Sequence, residues 1–550
     1  MLIADDVDVW VRAQKMMLEQ LGIEVVEACG FLEASKIAQK GVYDLALVDL
    51  RLEDDSDDTD ITGISICREL PSETLRILMI GHAATAGEVN RWIREKIIHQ
   101  FLEKRESAAI RRKHINELLE QSGTNFQLQI DFASVPEHVT TIGKTVDPHW
   151  AQLATCVEEL NTTPDELSYL FHRLIPKNIE FADISNPLPG GASGAAIVQV
   201  TVQHRDTGLK EHIIIKFGRQ ILVNRENENF HKFLAPLGAR GFARLRWLGT
   251  SRNLSAVAYG MVNSALDPTQ APSSLAEYVR QPHYAPSDGA RVITRIFSES
   301  CKSWFEAYCG GAWKKQGSGS VRRYFVERLW PDRQLPQIQQ KLEDIVNNLQ
   351  KSWNIKHSNG RIIACFEDKV VDTVDVSALV MREDQEHRWP AMPAECITHG
   401  DLHARNIIMV TDEPWIIDYG DCGWGHPFRD FAALETSLRF GVLYNYRRPS
   451  EILELERALA KGAPSLFPIQ SPELHKAAKL SGQIKHETIH LAGCVPDWET
   501  QYKMACMFQL LKLAGINKQI SGLEDHSHAS LRRLLAFLSA GALAEALGFE

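Results

Sequence analysis

The 550-residue sequence predicts an α/β protein in three parts: an N-terminal doubly wound domain, a helical linker and a C-terminal α+β domain with two lobes. Three observations lead to this prediction. Strand-like apolar runs alternate with amphipathic helical segments over residues 1–115, and strand-like runs return over residues 185–265. Residues 266–550 show mainly helical spacing, as do residues 116–184, which are therefore predicted to be the linker.

The composition limits the classes of function. A net charge of -11 argues against nonspecific binding to nucleic acid, because a phosphate backbone attracts a basic surface. The ten cysteines include no C-x-x-C pair, so they are expected to be thiols in a reducing compartment. No apolar run reaches about 18 residues, which argues against membrane insertion. The sequence therefore predicts a cytoplasmic protein.

Polar residues follow the strand-like runs of the first domain. Asp5 and Asp6 follow the first run, Asp49 ends the third, and Lys104 ends the fifth. Ligands of a doubly wound sheet lie at the carboxyl ends of its strands. Carboxylates that converge there repel one another unless a divalent cation lies between them. This pattern predicts a magnesium site at which Asp49 can accept a phosphoryl group.

Residues 1–115 resemble a bacterial response-regulator receiver domain, which implies a flavodoxin-like fold and a sensor histidine kinase as a possible partner. The resemblance makes Asp5 and Asp6 the acidic pair, Asp49 the phosphoacceptor, Lys104 the lysine of the last strand and Phe101 the aromatic switch residue. Two features depart from the pattern, and one is the loop after Asp49, which lacks the usual proline and is lengthened by an acidic run at residues 53–60. The fourth strand offers Ile80 or Gly81 where the family has a serine or threonine hydroxyl, so the coupling of phosphorylation to the switch is open.

The strand-rich segment 185–265 contains features of a phosphate-binding lobe. A glycine-rich turn includes Gly190, Gly191, Ser193 and Gly194, whose small side chains let backbone N–H groups approach phosphate oxygens. Lys216 ends a later strand, where its charge could reach the α- and β-phosphates of a nucleotide.

Two further features of this segment concern the lysine and the nucleotide base. A following helix carries Glu226 and Glu228, either of which could hold Lys216 in place, and Glu226 is preferred. Tyr259 and Met261 lie on a strand that suits a hinge between lobes, where backbone groups could bind adenine.

The run H-G-D-L-H-A-R-N at 399–406, followed by W-I-I-D-Y-G, contains the groups of a magnesium-dependent phosphoryl-transfer site. Asp401 could accept the proton of an attacking hydroxyl. Asn406 and Asp418 offer oxygen ligands for a magnesium ion on nucleotide phosphates.

The order of these elements resembles the aminoglycoside phosphotransferase and choline kinase family of kinase-like enzymes, from about residue 185 to 550. The resemblance implies a bilobal protein-kinase-like fold with ATP and Mg²⁺ as cofactors. The N-lobe would span 185–265, and the C-lobe, with a helical C-terminal part, would span 266–550. Asp430 would brace the catalytic loop, and His399 would also be structural.

Two functions remain open at this point. The first is an ATP-dependent phosphotransferase that acts on a hydroxyl of a small molecule or protein and is regulated by the receiver-like domain. The second is a pseudokinase, a signalling scaffold that binds nucleotide without turnover. Retention of Lys216, Asp401, Asn406 and Asp418 together favours the enzyme. The sequence predicts neither the phosphate acceptor nor the oligomeric state.

Overall fold

The structure is a computed structural model. It describes residues 1–19, 23–54, 57, 59–71, 74–81, 86–121, 124, 128–131, 164–188, 195–237, 241–260, 272–281, 284–311, 315–329, 335–353, 355–366, 369–410, 412–446, 448–462, 471–516 and 526–549. The chain divides into two compact units. The first comprises Met1–Pro187, Gly194–Val223 and Leu245–Gly260, and the second comprises Leu188–Ser193, Asn224–Arg244 and Met261–Glu550.

A five-stranded parallel sheet begins the first unit. Its elements are β1 (Leu2–Asp5), α1 (Asp8–Glu19), β2 (Val26–Cys29), α2 (Phe31–Lys40), β3 (Leu45–Asp49), α3 (Thr62–Glu69), β4 (Leu75–Ile80), α4 (Ala86–Arg94), β5 (Gln100–Glu103) and α5 (Ala108–Gln121). The strand order is β2-β1-β3-β4-β5, and neighbouring strands pair in parallel. This order is the flavodoxin-like arrangement, so the predicted doubly wound domain is confirmed.

Alternate residues of the buried strands face opposite sides of this sheet. Ala46 and Val48 of β3 join the core formed with α2, α3 and α4, while Leu45 and Leu47 join the core formed with α1 and α5. Both faces are thus covered, which explains why β3 is a continuous apolar run that ends at Asp49.

A six-stranded sheet completes the first unit. Its elements are β6 (Gln129–Asp131), α6 (Pro164–Leu174), β7 (Ile179–Leu188), β8 (Ala196–His204), β9 (Lys210–Gly218), β10 (Arg244–Thr250) and β11 (Ser255–Gly260). The strand order is β10-β11-β9-β8-β7-β6. Helix α6 packs on this sheet, because Leu167, Leu170, Phe171 and Leu174 share a buried core with β8, β9 and β11.

The segment predicted to be a helical linker contains part of this sheet. Strand β6 lies within it, and β7 begins at Ile179, where burial of Ile179, Ala182 and Ile184 fixes the strand against α6. These strands differ from the helical linker that was expected over 116–184. Strand β7 has polar residues at several positions, so hydrophobic spacing alone did not predict this strand.

The two sheets of the first unit are joined at the amino-terminal edge of β3. The Tyr169 hydroxyl of α6 donates to the Tyr43 carbonyl oxygen at 3.4 Å, and the Arg252 guanidinium donates to the Ala38 carbonyl oxygen. Burial raises the pKa of Asp44, and the N-terminal ammonium and Arg173 of α6 oppose this shift. This contact lies at the opposite end of β3 from Asp49.

The second unit is mainly helical with small sheets. Its elements are α7 (Gln220–Asn229), β12 (Ser273–Ser274), α8 (Leu275–Arg280), α9 (Pro286–Arg295), α10 (Lys302–Cys309), α11 (Val321–Leu329), α12 (Leu335–Ser352), β13 (Ile355–Ser358), β14 (Arg361–Phe366), β15 (Lys369–Val374), α13 (Val376–Met381), β16 (Cys396–Thr398), β17 (Ile407–Val410), β18 (Glu413–Ile416), β19 (Gly423–Gly425), α14 (Arg429–Leu438), α15 (Pro449–Ala460), α16 (Pro472–Ala492), α17 (Trp498–Ala514) and α18 (His526–Ala546). Wider helical turns occur at Phe230–Leu234, Ile296–Cys301 and Arg439–Leu443, and tighter turns at Ala235–Leu237 and Glu383–Arg388. Among the described helices, none combines the length and apolar character needed to cross a bilayer.

Two short antiparallel pairs in the second unit flank the H-G-D segment. Strand β16 pairs with β19, and β17 pairs with β18. The loop from His399 to Asn406 therefore connects β16 to β17, while the segment around Asp418 connects β18 to β19. The two loops that carry the predicted catalytic residues thus belong to one compact unit.

Candidate functional site

Three carboxylates and a lysine meet at the carboxyl end of the parallel sheet. Asp5 ends β1, Asp6 follows it, and Asp49 ends β3. A carboxylate oxygen from each lies within 4.8 Å of the others. Lys104 Nζ lies 2.9 Å from Asp5 Oδ2 and 2.9 Å from Asp49 Oδ2. The structure therefore brings together the four residues that the sequence placed here.

The charges of this site fit a divalent cation. Burial raises the pKa of Asp5, although Lys104 opposes the shift. Burial would lower the pKa of Lys104, but Asp49 and Asp5 raise it above its usual value, so the ammonium stays charged. The positive charge of Lys104 is smaller than the combined negative charge of three carboxylates, so an excess of negative charge remains. Asp6 Oδ1 is buried with no hydrogen-bond partner among the described residues, and such an oxygen suits magnesium.

The structure distinguishes Ile80 from Gly81 as the position of the missing hydroxyl. Ile80 is the last residue of β4 and is buried, whereas a Cβ added at Gly81 would lie 3.7 Å from the Lys104 side chain. Gly81 is therefore the position that faces the site. Phe101, the predicted switch residue, lies in β5 and is 41% exposed.

A buried aspartate holds the start of the H-G-D loop in the second unit. Asp430, near the start of α14, accepts hydrogen bonds from the His399 and Gly400 backbone N–H groups at 2.6 and 2.9 Å. His399 is fully buried, and its Nε2 lies 2.9 Å from the Ile417 carbonyl oxygen. Gly400 has φ +87°, and a Cβ there would lie 2.1 Å from the Asp421 carbonyl oxygen. Glycine is therefore required directly before Asp401.

Further hydrogen bonds tie the rest of this loop to the Asp418 segment. Asn406 Nδ2 donates to the Asp401 carbonyl oxygen at 3.0 Å, so the amide oxygen of Asn406 is the atom that could bind a metal. The Ile417 N–H donates to the Asn406 carbonyl oxygen at 2.9 Å. Asp418, the next residue, has φ +70°, a left-handed conformation that is strained for aspartate and is often found at functional sites.

The Asp401 carboxylate has two basic neighbours. Lys512 Nζ of α17 lies 3.4 Å from Asp401 Oδ1, and His403 Nε2 lies 3.5 Å from Asp401 Oδ2. Burial would raise the pKa of Asp401, but Lys512 and the nearby histidines lower it well below its usual range. Burial lowers the pKa of His403, although Asp401 and Asp418 oppose this shift. Asp401 is thus held as an anion.

Helix α7 also contacts the Asp418 segment. Glu226 is fully buried, and its Oε1 accepts the Tyr419 N–H at 2.9 Å, whereas Glu228 is exposed. Asn229 Nδ2 donates to the Tyr419 and Gly420 carbonyl oxygens at 3.2 and 2.9 Å. Burial distinguishes the two glutamates that the sequence left open. Pairing of Glu226 with Lys216 stays a prediction.

Of the remaining predicted nucleotide-binding residues, the structure describes Lys216 and Tyr259. Lys216 lies in β9 and is 5% exposed, and Tyr259 in β11 is fully buried. Gly190, Gly191, Ser193, Gly194 and Met261 lie outside the described residues.

Sequence reasoning missed Lys512 and His403. Lys512 follows Leu510 and Leu511 in what reads as an apolar helical stripe, and 111 positions separate it from Asp401. The sequence feature that could have indicated a role for Lys512 is that it interrupts this apolar stripe. His403 lies inside the quoted motif, and its position two residues after Asp401 could have indicated a contact.

The model of the family described as ternary complex associated domain 9 matches residues 182–373 and 378–507, together more than half of the chain. The chain belongs to this family. Its matched region contains Lys216, Glu226, Asp401, Asn406, Asp418 and Asp430. The region ends before Lys512, so the family match does not include that residue.

A second family model, the response regulator receiver domain, matches residues 1–116. The N-terminal domain is therefore a receiver domain. Such a domain implies regulation by two-component signalling and suggests an interaction with a phosphodonor such as a sensor kinase.

Solved structures that are similar to this chain include receiver domains. A response regulator receiver domain protein from Methanospirillum hungatei JF-1 is 22% identical, with 22% of this chain and 93% of that chain covered and a TM-score of 0.20. The signal receiver domain of a modulated diguanylate cyclase from Desulfovibrio desulfuricans G20 is 21% identical, with the same coverages and a TM-score of 0.19. No curated protein matches the chain.

Proposed function

We propose that the second unit is an ATP-dependent phosphotransferase that the receiver domain regulates. It would transfer the γ-phosphoryl group of ATP to a hydroxyl of a small molecule or protein. The observation that carries this proposal is the pair of hydrogen bonds that connect the His399–Asn406 loop to Ile417, the residue directly before Asp418. This connection supports a site in which Asp401 is the base and Asn406 and Asp418 are the oxygen ligands.

The residues have complementary roles in this reaction. Asp401 accepts the proton of the acceptor hydroxyl as its oxygen attacks the γ-phosphorus, and the bond from that phosphorus to the ADP oxygen breaks. Asn406 and Asp418 would hold Mg²⁺, which supplies positive charge on the phosphate oxygens. Glu226 and Asn229 orient the Asp418 segment through its backbone. Asp430 keeps the Asp401 loop in place.

The metal assignment predicts a charge-dependent loss of nucleotide affinity. Asp418→Asn keeps a side chain that tolerates φ +70° but removes the negative charge. We expect ATP binding in magnesium to weaken by about tenfold or more, and wild-type binding to weaken similarly in EDTA. Isothermal titration calorimetry measures both. Asp412→Asn, at another left-handed aspartate, is the matched control. Equal affinity with and without magnesium would refute the assignment.

Lys512 is predicted to position Asp401 and stabilise its charge. Lys512→Met should lower turnover by about tenfold to a hundredfold, because the γ-phosphoryl and carboxylate charges lose a neighbouring cation. It should also shift the acidic limb of the pH–rate profile upward, since Lys512 lowers the pKa of Asp401. Lys512→Arg should retain most activity. Lys503→Met, on the same helix, controls for loss of a lysine; an unchanged profile in Lys512→Met would exclude the role.

Regulation by the receiver domain is predicted to be weak in the wild type. Asp49 should accept a phosphoryl group from acetyl phosphate in magnesium, but the effect on turnover should be a few-fold, about 1 kcal/mol, because Gly81 offers no hydroxyl. Gly81→Thr should increase this effect, since its Cβ fits beside Lys104. Intact mass and turnover are the measurements. Gly81→Ala adds the Cβ without a hydroxyl, and Asp49→Ala removes the acceptor; equal responses in Gly81→Thr and Gly81→Ala would contradict the hydroxyl argument.

A nucleotide-binding scaffold without turnover is the second candidate function. The contacts of Asp401 with Lys512 and His403 favour it, because both of its carboxylate oxygens already have a basic neighbour. The family description, which names association with a ternary complex, also suits a scaffold. Labelled ATP incubated with metabolite or protein extracts distinguishes the two functions. Magnesium-dependent ATP binding without phosphoryl transfer to any acceptor or to water would favour the scaffold.

A further inference from the structure

Two cysteines that are far apart in the sequence have adjacent sulfur atoms in the second unit. Cys309 Sγ and Cys494 Sγ lie 2.7 Å apart, although Cys494 comes 185 positions after Cys309 in the sequence. Both residues are exposed. A disulfide bond is about 2.05 Å long, so closing this gap needs a movement of only about 0.6 Å. Most pairs of distant cysteines would need a much larger rearrangement of the backbone.

Both residues lie at helix ends that are closed by backbone hydrogen bonds. Cys309 is the last residue of α10, where the Gly310 N–H donates to the Glu306 carbonyl oxygen at 2.9 Å. Cys494 follows Gly493 at the end of α16, where the Gly493 N–H donates to the Ile489 carbonyl oxygen at 3.1 Å. Helices α10 and α16 pack against each other. The short distance between the sulfurs is therefore a property of the fold.

We propose that Cys309 and Cys494 form a reversible disulfide, a site of oxidative modification in the second unit. The reaction with a peroxide has two steps. One thiolate attacks the peroxide, the O–O bond breaks, and a sulfenic acid and hydroxide form. The second thiolate attacks the sulfenic sulfur and displaces a second hydroxide. The two thiol protons convert both hydroxides to water, and the sulfur pair loses two electrons to the peroxide.

The bond would connect two elements that lie next to parts of the Asp401 site. Helix α10 packs against β16, which leads into His399. Cys494 lies just before α17, the helix that carries Lys512. A disulfide here closes a long chain segment and restricts the unfolded state. The oxidised protein is consequently more resistant to unfolding than the reduced protein.

The experiment treats the full chain with hydrogen peroxide, unfolds it, alkylates the remaining thiols and maps the peptides by mass spectrometry. The expected product is one cross-linked peptide pair that contains Cys309 and Cys494 and lacks two hydrogen atoms. We also expect Tm to rise by about 5 °C, and dithiothreitol to reverse both changes.

Variants distinguish this bond from general oxidation. Cys309→Ser and Cys494→Ser should each lose the cross-link and the rise in Tm. Cys365→Ser removes another exposed cysteine and should retain both. The proposal is overturned if Cys309 and Cys494 are both alkylated after Cys365 has been oxidised, or if the mapped disulfides join other cysteines. A Cys309–Cys494 bond without a rise in Tm would overturn its stabilising effect.

Discussion

Asp401→Asn is expected to lower phosphoryl transfer by about a hundredfold or more while leaving ATP affinity nearly unchanged. The substitution keeps the shape of the side chain but removes the group that accepts the hydroxyl proton. The backbone contacts of Asp401 with His403 and Asn406 do not use the carboxylate, so the loop should keep its conformation. Turnover of labelled ATP and calorimetric affinity are the two measurements.

A matched substitution separates this effect from general damage. Asp206→Asn makes the same chemical change at an exposed turn and should leave turnover unchanged. A drop in ATP affinity as large as the drop in turnover would indicate a binding role for Asp401. Full turnover in Asp401→Asn would exclude it as the base.

Asp430→Ala is expected to reduce the free energy of unfolding by roughly 3 kcal/mol and to abolish activity. Asp430 is buried and accepts the N–H groups of His399 and Gly400, so its removal leaves two buried donors without their acceptor. Chemical denaturation followed by circular dichroism measures the loss of stability. Activity is lost because the Asp401 loop is no longer held.

Asp430→Asn tests whether the brace depends on acceptor atoms or on charge. Asparagine retains one acceptor oxygen and should show an intermediate loss of stability. Burial raises the pKa of Asp430, while His399 and Arg429 oppose the shift, so the carboxylate is already costly to bury. A variant Asp430→Ala with wild-type stability would show that the two N–H groups find other partners.

The parts of the fold that sequence predicted best are those with continuous local patterns. The buried runs of β1, β3 and β4 stand out because both faces of a parallel sheet are covered. Asp5, Asp49 and Lys104 then follow from the rule that ligands lie at the carboxyl ends of such strands. The H-G-D loop was also predictable, since its residues lie close together in sequence.

The remaining features depend on contacts between distant segments. Lys512 reaches Asp401 only because α17 packs beside the H-G-D loop, and no local pattern encodes that approach. Glu226 and Glu228 have the same side chain, and the sequence does not show that Glu226 is buried whereas Glu228 is exposed. Strand β6 has only three residues, too few for an alternating pattern to be recognised.

The contact between the two sheets of the first unit has a consequence for cooperativity. Tyr169 and Arg252 donate to carbonyl oxygens at Tyr43 and Ala38, so the receiver domain and the six-stranded sheet share an interface. Separating them would expose Arg252 and part of α6 to water. The receiver domain and this sheet should therefore melt together in one calorimetric transition, and a receiver domain cut away at residue 116 would melt at a lower temperature than it does in the full chain.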